Sequence, residues 1–289
     1  MRRRNHSERE QLELFRALPG DLAPRDAQDL MAYPFFSLAK TRRIVLIDFR
    51  TGAIAISVEA MPEDGMATIW YADVLIWAAS QIVEARDAGL RTLRLMAATP
   101  YEILTFAGRG TSARDYDRLK AGLDRLQSTA VLTSIRHPTE RRRHRFSWIN
   151  ERKETVDANG RPFGIELILP DWFYVGVIDD ALVPTIDRAY FDLTGGIEHW
   201  LYRLVRKHGG RQDGGWSSDL AKSGVLSPLK HFAYDIRQIV GGQTLPGYDL
   251  ALTLDPNGAE RLNSPPTLVE PLTARLRTRH LIPNSEDNL

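Results

Sequence analysis

Residues 99–150 read Thr99-Pro100-Tyr101-Glu102-Ile103-Leu104-Thr105-Phe106, then Gly108-Arg109-Gly110, then a longer segment from Ser112 to Gln127, then an alternating stretch to Asn150. Thr99 supplies a capping hydroxyl and Pro100 a fixed first-turn φ, so the spacing predicts a short helix that Gly108 and Gly110 break. A second helix starts at Ser112, with Tyr116, Leu119, Leu123 and Leu126 as its apolar stripe. Arg114, Arg118 and Arg125 gather on the opposite side. Past Gln127-Ser128-Thr129 the period falls to two: Val131, Thr133 and Ile135 alternate, His137-Pro138-Thr139-Glu140 turns, and Phe146 and Trp148 alternate on return. The returning strand opens on Arg141-Arg142-Arg143-His144-Arg145, and from Arg136 to Lys153 seven Lys or Arg oppose only Glu140 and Glu151. Short helix, turn, amphipathic helix and basic hairpin in this order predict a winged helix and contact with duplex DNA. Surface arginines need no function. Like charges packed as densely as those at 141–145 nevertheless repel unless an anion is near, and each neutralised phosphate releases counterions.

The order recurs downstream. Ile197 to His208 forms a helix with Ile197, Trp200, Leu201, Leu204 and Val205 inward, ended by Gly209-Gly210. Trp216 to Lys222 makes a short helix, Ser223-Gly224-Val225-Leu226 the turn, and Ser227-Pro228 the cap and first turn of the next helix. There Leu229, Phe232, Ile236, Ile239 and Val240 point inward, while Ser227, Lys230, His231, Tyr234 and Gln238 point outward with Arg237 at the flank. That mixture of donors and acceptors suits base-edge readout better than an all-arginine face does. Tyr248 to Leu254, Asp255-Pro256-Asn257-Gly258 and Ala259 to Leu262 supply a hairpin, its turn marked by Asn-Gly.

The fold class expected is therefore α+β, with two tandem winged-helix domains. Residues 1–32 read as a charged helix and linker, with Leu12, Leu14, Phe15 and Leu18 as a docking face; residues 33–150 form the first winged helix, assigned dimerisation and DNA backbone contacts. Residues 151–262 form the second, assigned sequence-specific binding, with polar Glu151 to Gly160 as the hinge, and 263–289 is a disordered tail. Within the first domain Ile44 to Phe49 and Ala53 to Val58 flank Arg50-Thr51-Gly52 as a hairpin apolar on both faces, which points to a dimer contact testable at Ile54 or Ile56. Thr68 to Asp87 is a long apolar-rich helix, and Thr92-Leu93-Arg94-Leu95 is the short strand expected to precede a winged helix.

A chain of 289 residues can bury two proper cores, and its net charge of +1 leaves DNA affinity to local fields. There is no cysteine, so disulfides and thiolate metal sites are excluded. No apolar run reaches the roughly 18 residues of a membrane span, and the start lacks a signal-peptide core, so the expected location is the cytoplasm with no membrane partner.

Tyr33-Pro34-Phe35-Phe36-Ser37-Leu38, Trp70 through Ser80, Gly108-Arg109-Gly110 through Thr129, and Arg145-Phe146-Ser147-Trp148-Ile149 resemble the plasmid replication initiator protein A family. The likeness continues through Leu169-Pro170-Asp171-Trp172-Phe173-Tyr174 and Gly195 to Gly210, and spans residues 31 to about 250. The resemblance implies an initiator with tandem winged helices that binds direct repeats, iterons, at a plasmid origin. It also implies help in opening an adjacent AT-rich segment, recruitment of a host initiator and helicase, and dimers that repress their own gene. The short helix from Trp216 to Lys222 departs from that pattern and bears on how the second domain docks.

Enzymatic readings find no support in the residues. No Gly-rich loop ends in Gly-Lys-Ser or Gly-Lys-Thr, and the seven histidines are scattered, so no catalytic residue, metal or cofactor is expected. His199 beside Trp200 reads as a packing or hydrogen-bonding residue, and Trp70, Trp77, Trp172 and Trp200 read as core. A tandem winged-helix transcription regulator would use the same contacts; direct repeats beside an AT-rich segment favour initiation, and a single palindrome favours regulation.

Overall fold

The computed structural model describes residues 13–136, 143–156, 158–159, 162–179, 183–208 and 216–267. Its architecture is mixed α+β. One four-stranded sheet has the order β2-β3-β5-β6, formed by β2 (Ile47–Thr51), β3 (Ile54–Ala60), β5 (Thr129–Thr133) and β6 (His144–Ser147), all antiparallel. The other has the order β1-β4-β8-β7, formed by β1 (Leu14–Arg16), β4 (Leu95–Ala98), β7 (Glu151–Val156) and β8 (Pro162–Ile168), with β1 parallel to β4. A separate hairpin pairs β9 (Ala251–Leu254) with β10 (Glu260–Asn263).

The helix α2 (Ala72–Asp87) runs through the centre, with Val74, Leu75, Ile76, Trp77, Ala78, Ala79, Ile82 and Val83 all buried. A helix apolar all round has to lie inside the core. On it pack α3 (Pro100–Phe106), the 3-10 turn Ile69–Tyr71 that leads into it, and α5 (Asp171–Ile178). The chain then enters α6 (Gly196–His208), α7 (Trp216–Ser223) and α8 (Leu229–Gly242). One continuous apolar cluster, from Phe15 to Leu262, joins the segments on either side of residue 150. Its aromatic centre stacks Phe146 on Trp172 at 5.0 Å and Phe36 on Trp148 at 5.2 Å.

Several expectations change. Leu14-Phe15-Arg16 is a strand, not a helix face, because β4 offers it a sheet edge: Ala17 N–H donates to Ala97 O at 2.9 Å. The following segment is anchored, not a loose linker. Gln81 accepts from Leu18 N–H at 2.6 Å, Ser80 Oγ accepts from Arg25 N–H at 2.8 Å, and α1 (Gln28–Ala32) packs on α6. The polar stretch from Glu151 is not a hinge but the edge strand β7, with Lys153 and Thr155 facing water while β8 ties it to β4. The strand expected at Thr92–Leu95 forms at Leu95–Ala98 and joins this second sheet. Residues 263–267 are also ordered: Asp249 N–H donates to Pro265 O at 3.0 Å and Thr267 N–H to Gly247 O at 2.9 Å. Residues 268–289 and the basic N-terminal residues 1–12 lie outside the described residues.

The β2–β3 hairpin turns through Gly52 at φ 53°, as expected, but it is not apolar on both faces. Ile47, Phe49, Ile56 and Val58 are buried while Asp48, Arg50 and Glu59 are exposed, the period-two signature of a strand with one face on a core. Ile56 is 1% exposed and so lies in the core, where it meets no partner chain. Ile44, Val45 and Leu46 precede the strand and are 55%, 52% and 46% exposed; Arg43 donates to the carbonyls of Val45 and Leu46 and holds this segment outside the ladder.

Candidate nucleic-acid interface

The first helix pair forms as the spacing predicts. Thr99 and Glu102 close a capping box on α3: Thr99 Oγ1 accepts from Glu102 N–H at 3.2 Å and Glu102 Oε2 from Thr99 N–H at 2.6 Å. Ser112 and Asp115 do the same for α4 (Ala113–Ser128), and the Ser112 hydrogen bonds hold the Asp115 carboxyl below its usual range. Between them Gly108 takes φ 62°, and a Cβ on Gly110 would strike the Asp115 carboxylate. These two glycines let the turn fold back so that Arg109 reaches Asp73 of α2, Nη2 to Oδ2 at 2.6 Å, and Phe191 O through Nη1 at 3.1 Å.

Leu119, Leu123 and Leu126 are buried under α4, with Tyr116 half-buried. On the outer face Arg114 is exposed, and Arg118 lies 3.4 Å from Asp115 with 61% of its side chain exposed. Arg125 is different: half-buried, with its guanidinium 5.7 Å from the Tyr71 ring centroid. Gly122 permits this approach, since a Cβ there would collide with the Tyr71 ring.

Arg141, Arg142 and the turn at 137–140 lie outside the described residues. Arg143 is exposed, and Arg145 is 64% exposed and 3.2 Å from Glu59. Two cations of the local excess serve the fold instead. Arg136, at φ 73°, stacks over Trp172 at 4.2 Å and pairs with Asp29 at 2.8 Å. Arg152 is 13% exposed, between Asp124 at 2.7 Å and Glu154 at 3.3 Å. Sequence alone could not separate them from their neighbours, because Asp29 and Asp124 lie far away in the chain.

In the second set, α7 spans eight residues, as short as expected. Gly224 turns the chain at φ 66°, and Arg43 donates to its carbonyl from the first half of the molecule. Phe232, Ala233, Ile236 and Ile239 are buried, Phe232 packing edge-on to Trp200 at 5.7 Å. Lys230, His231, Tyr234 and Gln238 are exposed on the opposite side. Three assignments need correction. Leu229 is 40% exposed, being the first helical residue with no turn before it to cover it. Ser227 is half-buried, and the helix cap is Pro228, with no side-chain cap bond. Arg237 is bound to Glu260 of β10, Nη2 to Oε2 at 2.7 Å, which fastens the hairpin against α8. In the hairpin only Gly258 takes positive φ, 78°, while Asp255 accepts from Asn257 and Ala259 N–H at 2.9 Å each.

The two halves meet over a buried ion pair. Arg203 of α6 donates to Asp26 through Nε at 2.6 Å and Nη2 at 3.0 Å, both residues being almost fully buried. Nearby, His199 is buried as expected, its Nδ1 2.8 Å from Gly195 O, and burial lowers its pKa to about 4. Burial raises that of Asp73 to about 6 against the opposing pull of Arg109. The sequence reading missed the Asp26–Arg203 and Asp73–Arg109 pairs, since nothing local marks residues 177 and 36 positions apart as partners. Of the four tryptophans assigned to the core, Trp77, Trp172 and Trp200 are buried there, whereas Trp70 is half-exposed. Among the described residues no group of three or more His, Cys, Asp or Glu could hold a metal ion, and no helix is long and apolar enough to cross a membrane.

The sequence model described as "Replication initiator protein A" matches residues 25–250. A protein named "Putative replication protein" from Wigglesworthia glossinidia brevipalpis is 29% identical over 232 residues, covering 78% of this chain and 83% of that protein. In fold the chain is similar to the crystal structure of domains 2 and 3 of RctB, with a TM-score of 0.60 at 13% identity, covering 82% of this chain and 96% of that one. A second crystal structure of RctB domains 2–3 gives a TM-score of 0.53 at 14% identity, covering 82% and 95%.

Proposed function

Because the chain belongs to the replication initiator protein A family, we propose that it starts plasmid replication by binding direct repeats at the origin through two winged-helix units. The matched stretch, which takes in both helix pairs and most of the described residues, supports this reading most strongly. In it, α8 enters the major groove with Lys230, His231, Tyr234 and Gln238 toward base edges. Arg114 and Arg118 of α4, with Arg141, Arg142, Arg143 and Arg145 of the sequence between β5 and Phe146, hold the phosphate backbone. The bound protein then assists opening of an AT-rich segment and brings in a host initiator and the replicative helicase. A dimer of the chain represses its own gene, and the protein acts in the cytoplasm without enzymatic activity or cofactor.

The test is a plasmid carrying the direct repeats and AT-rich segment found beside the gene, maintained in cells that supply the protein in trans. Replication that requires both the repeats and the protein is expected, together with repeat binding on the order of 10³-fold or more tighter than to random duplex. Specific binding without replication would leave a transcription regulator.

A further inference from the structure

A cleft of about 740 Å³ opens between the 3-10 turn Ile69–Tyr71, the Gly108-Arg109-Gly110 turn and α4, within the size range of small-ligand sites. Its lining carries four cations, Lys40, Arg109, Arg118 and Arg125, against the two carboxylates Asp73 and Asp115. Arg109 is engaged by Asp73 and Arg118 by Asp115, whereas Lys40 and Arg125 have no carboxylate partner among the described residues. Each of these two is presented on an aromatic ring that also lines the cleft: Lys40 Nζ 5.7 Å from the Trp70 centroid, and the Arg125 guanidinium 5.7 Å from that of Tyr71. Rings hold such cations in place without neutralising them, so an anion arriving between them meets preset charge. A second, independent observation lies deeper. Asp73 lines the same cleft and is 5% exposed, and its Oδ1 is buried with no hydrogen-bond partner in the structure. A buried acceptor left unpaired is costly, and a ligand hydroxyl or amino group would satisfy it.

We propose that this cleft binds a nucleotide, its phosphate between Lys40, Arg118 and Arg125 and a hydroxyl or amino donor on Asp73 Oδ1. Phosphate and donor together are the chemistry of a nucleoside phosphate. Two sources offer it: a free nucleotide, or a nucleotide unit of DNA, in which case the inference rests on the proposed function above. Lys40→Ala with Arg125→Ala is the informative variant, because both residues lack a protein carboxylate and their removal strands no buried charge.

Full-length wild type and this double variant, matched by circular dichroism, are titrated calorimetrically with ATP and with inorganic phosphate. They are also titrated by fluorescence anisotropy with a random-sequence DNA duplex. For a free nucleotide, wild type binds ATP more tightly than inorganic phosphate and the variant loses at least tenfold in ATP affinity with little change for DNA. For a DNA nucleotide, ATP does not bind, and the variant loses at least tenfold in DNA affinity with a log–log salt slope smaller by roughly 1 to 2. A folded variant that matches wild type in both assays overturns the proposal. Loss of origin function or of repeat binding in wild type itself tells against the initiator reading and leaves the ATP result standing by itself.

Discussion

His199 and Asp73 sit in the same buried junction and titrate in opposite senses. The folded pKa of His199, about 4, lies below its ordinary 6.5, so the unfolded chain takes the proton first and stability is lost as pH falls from 6.5 toward 4. The folded pKa of Asp73, about 6, lies above its ordinary 3.8, so the stability its protonation brings is present below 3.8 and lost as pH rises through 6. Between pH 4 and 6 the two therefore act on stability in opposite directions. Asp73→Asn removes one side of that balance. Urea melts at pH 4, 5 and 6 are expected to show the variant losing stability relative to wild type as pH is lowered; curves parallel to wild type would rule out titration of Asp73 in this range. For the Asp26–Arg203 pair, Asp26→Asn leaves a buried guanidinium uncompensated. The expected cost is about 3–5 kcal/mol in the same melts, and a loss below about 1 kcal/mol would mean that water reaches the pair.

At the scale of elements, α8 and the β5–β6 hairpin differ in what their exposed residues can recognise. Lys230 and His231 lie in the first turn of α8, exposed. Each good base contact contributes about 1–3 kcal/mol of discrimination, so Lys230→Ala with His231→Ala is expected to lower the ratio of repeat to random affinity in competition binding. Retention of the full ratio would transfer base reading to Arg114 and Arg118. Replacing Arg141, Arg142 and Arg143 by Ala is expected to weaken binding equally on repeat and random duplex. It should also reduce the log–log salt slope by roughly 2.7, at about 0.9 per phosphate; an unchanged slope would show that the three do not touch the backbone. Arg237 belongs with neither group, because Glu260 holds it against the hairpin.

Across the whole molecule, the question of a dimer turns on which apolar residues are left uncovered. A charge at Ile56 would be buried in the core and unfold the chain, so it reports nothing about association. Val45, 52% exposed and outside the strand, is the useful position next to the edge strand β2. If this edge pairs two copies, Val45→Glu is expected to shift sedimentation velocity profiles toward monomer while the melting transition stays within about 1 kcal/mol of wild type. Identical mass distributions at all concentrations would remove this edge as the contact.

The sequence by itself determined the local elements and their inner faces. The caps at Thr99 and Ser112, the breakers at Gly108 and Gly224, the stripes of α4 and α8 and the alternation of β3 and β5 are all short-range chemistry, written within a few residues of where they act. It also carried the family, through long matching runs. Only the tertiary structure decided how these pieces divide their charges and edges. The N-terminal segment became a strand because β4 had an open edge, and the polar residues after 150 became an edge strand because β8 paired them back onto the first half. Arg136 and Arg152 were withdrawn from the basic surface by Asp29 and Asp124. Arg203 was drawn inside by Asp26 and Arg109 was bound by Asp73, while Lys40 and Arg125 were left on aromatic rings at a cleft. The physical reason is range: helix periods and caps are set by neighbours in the chain, whereas the partner of a charge or a strand edge is set by whatever the packed core brings beside it.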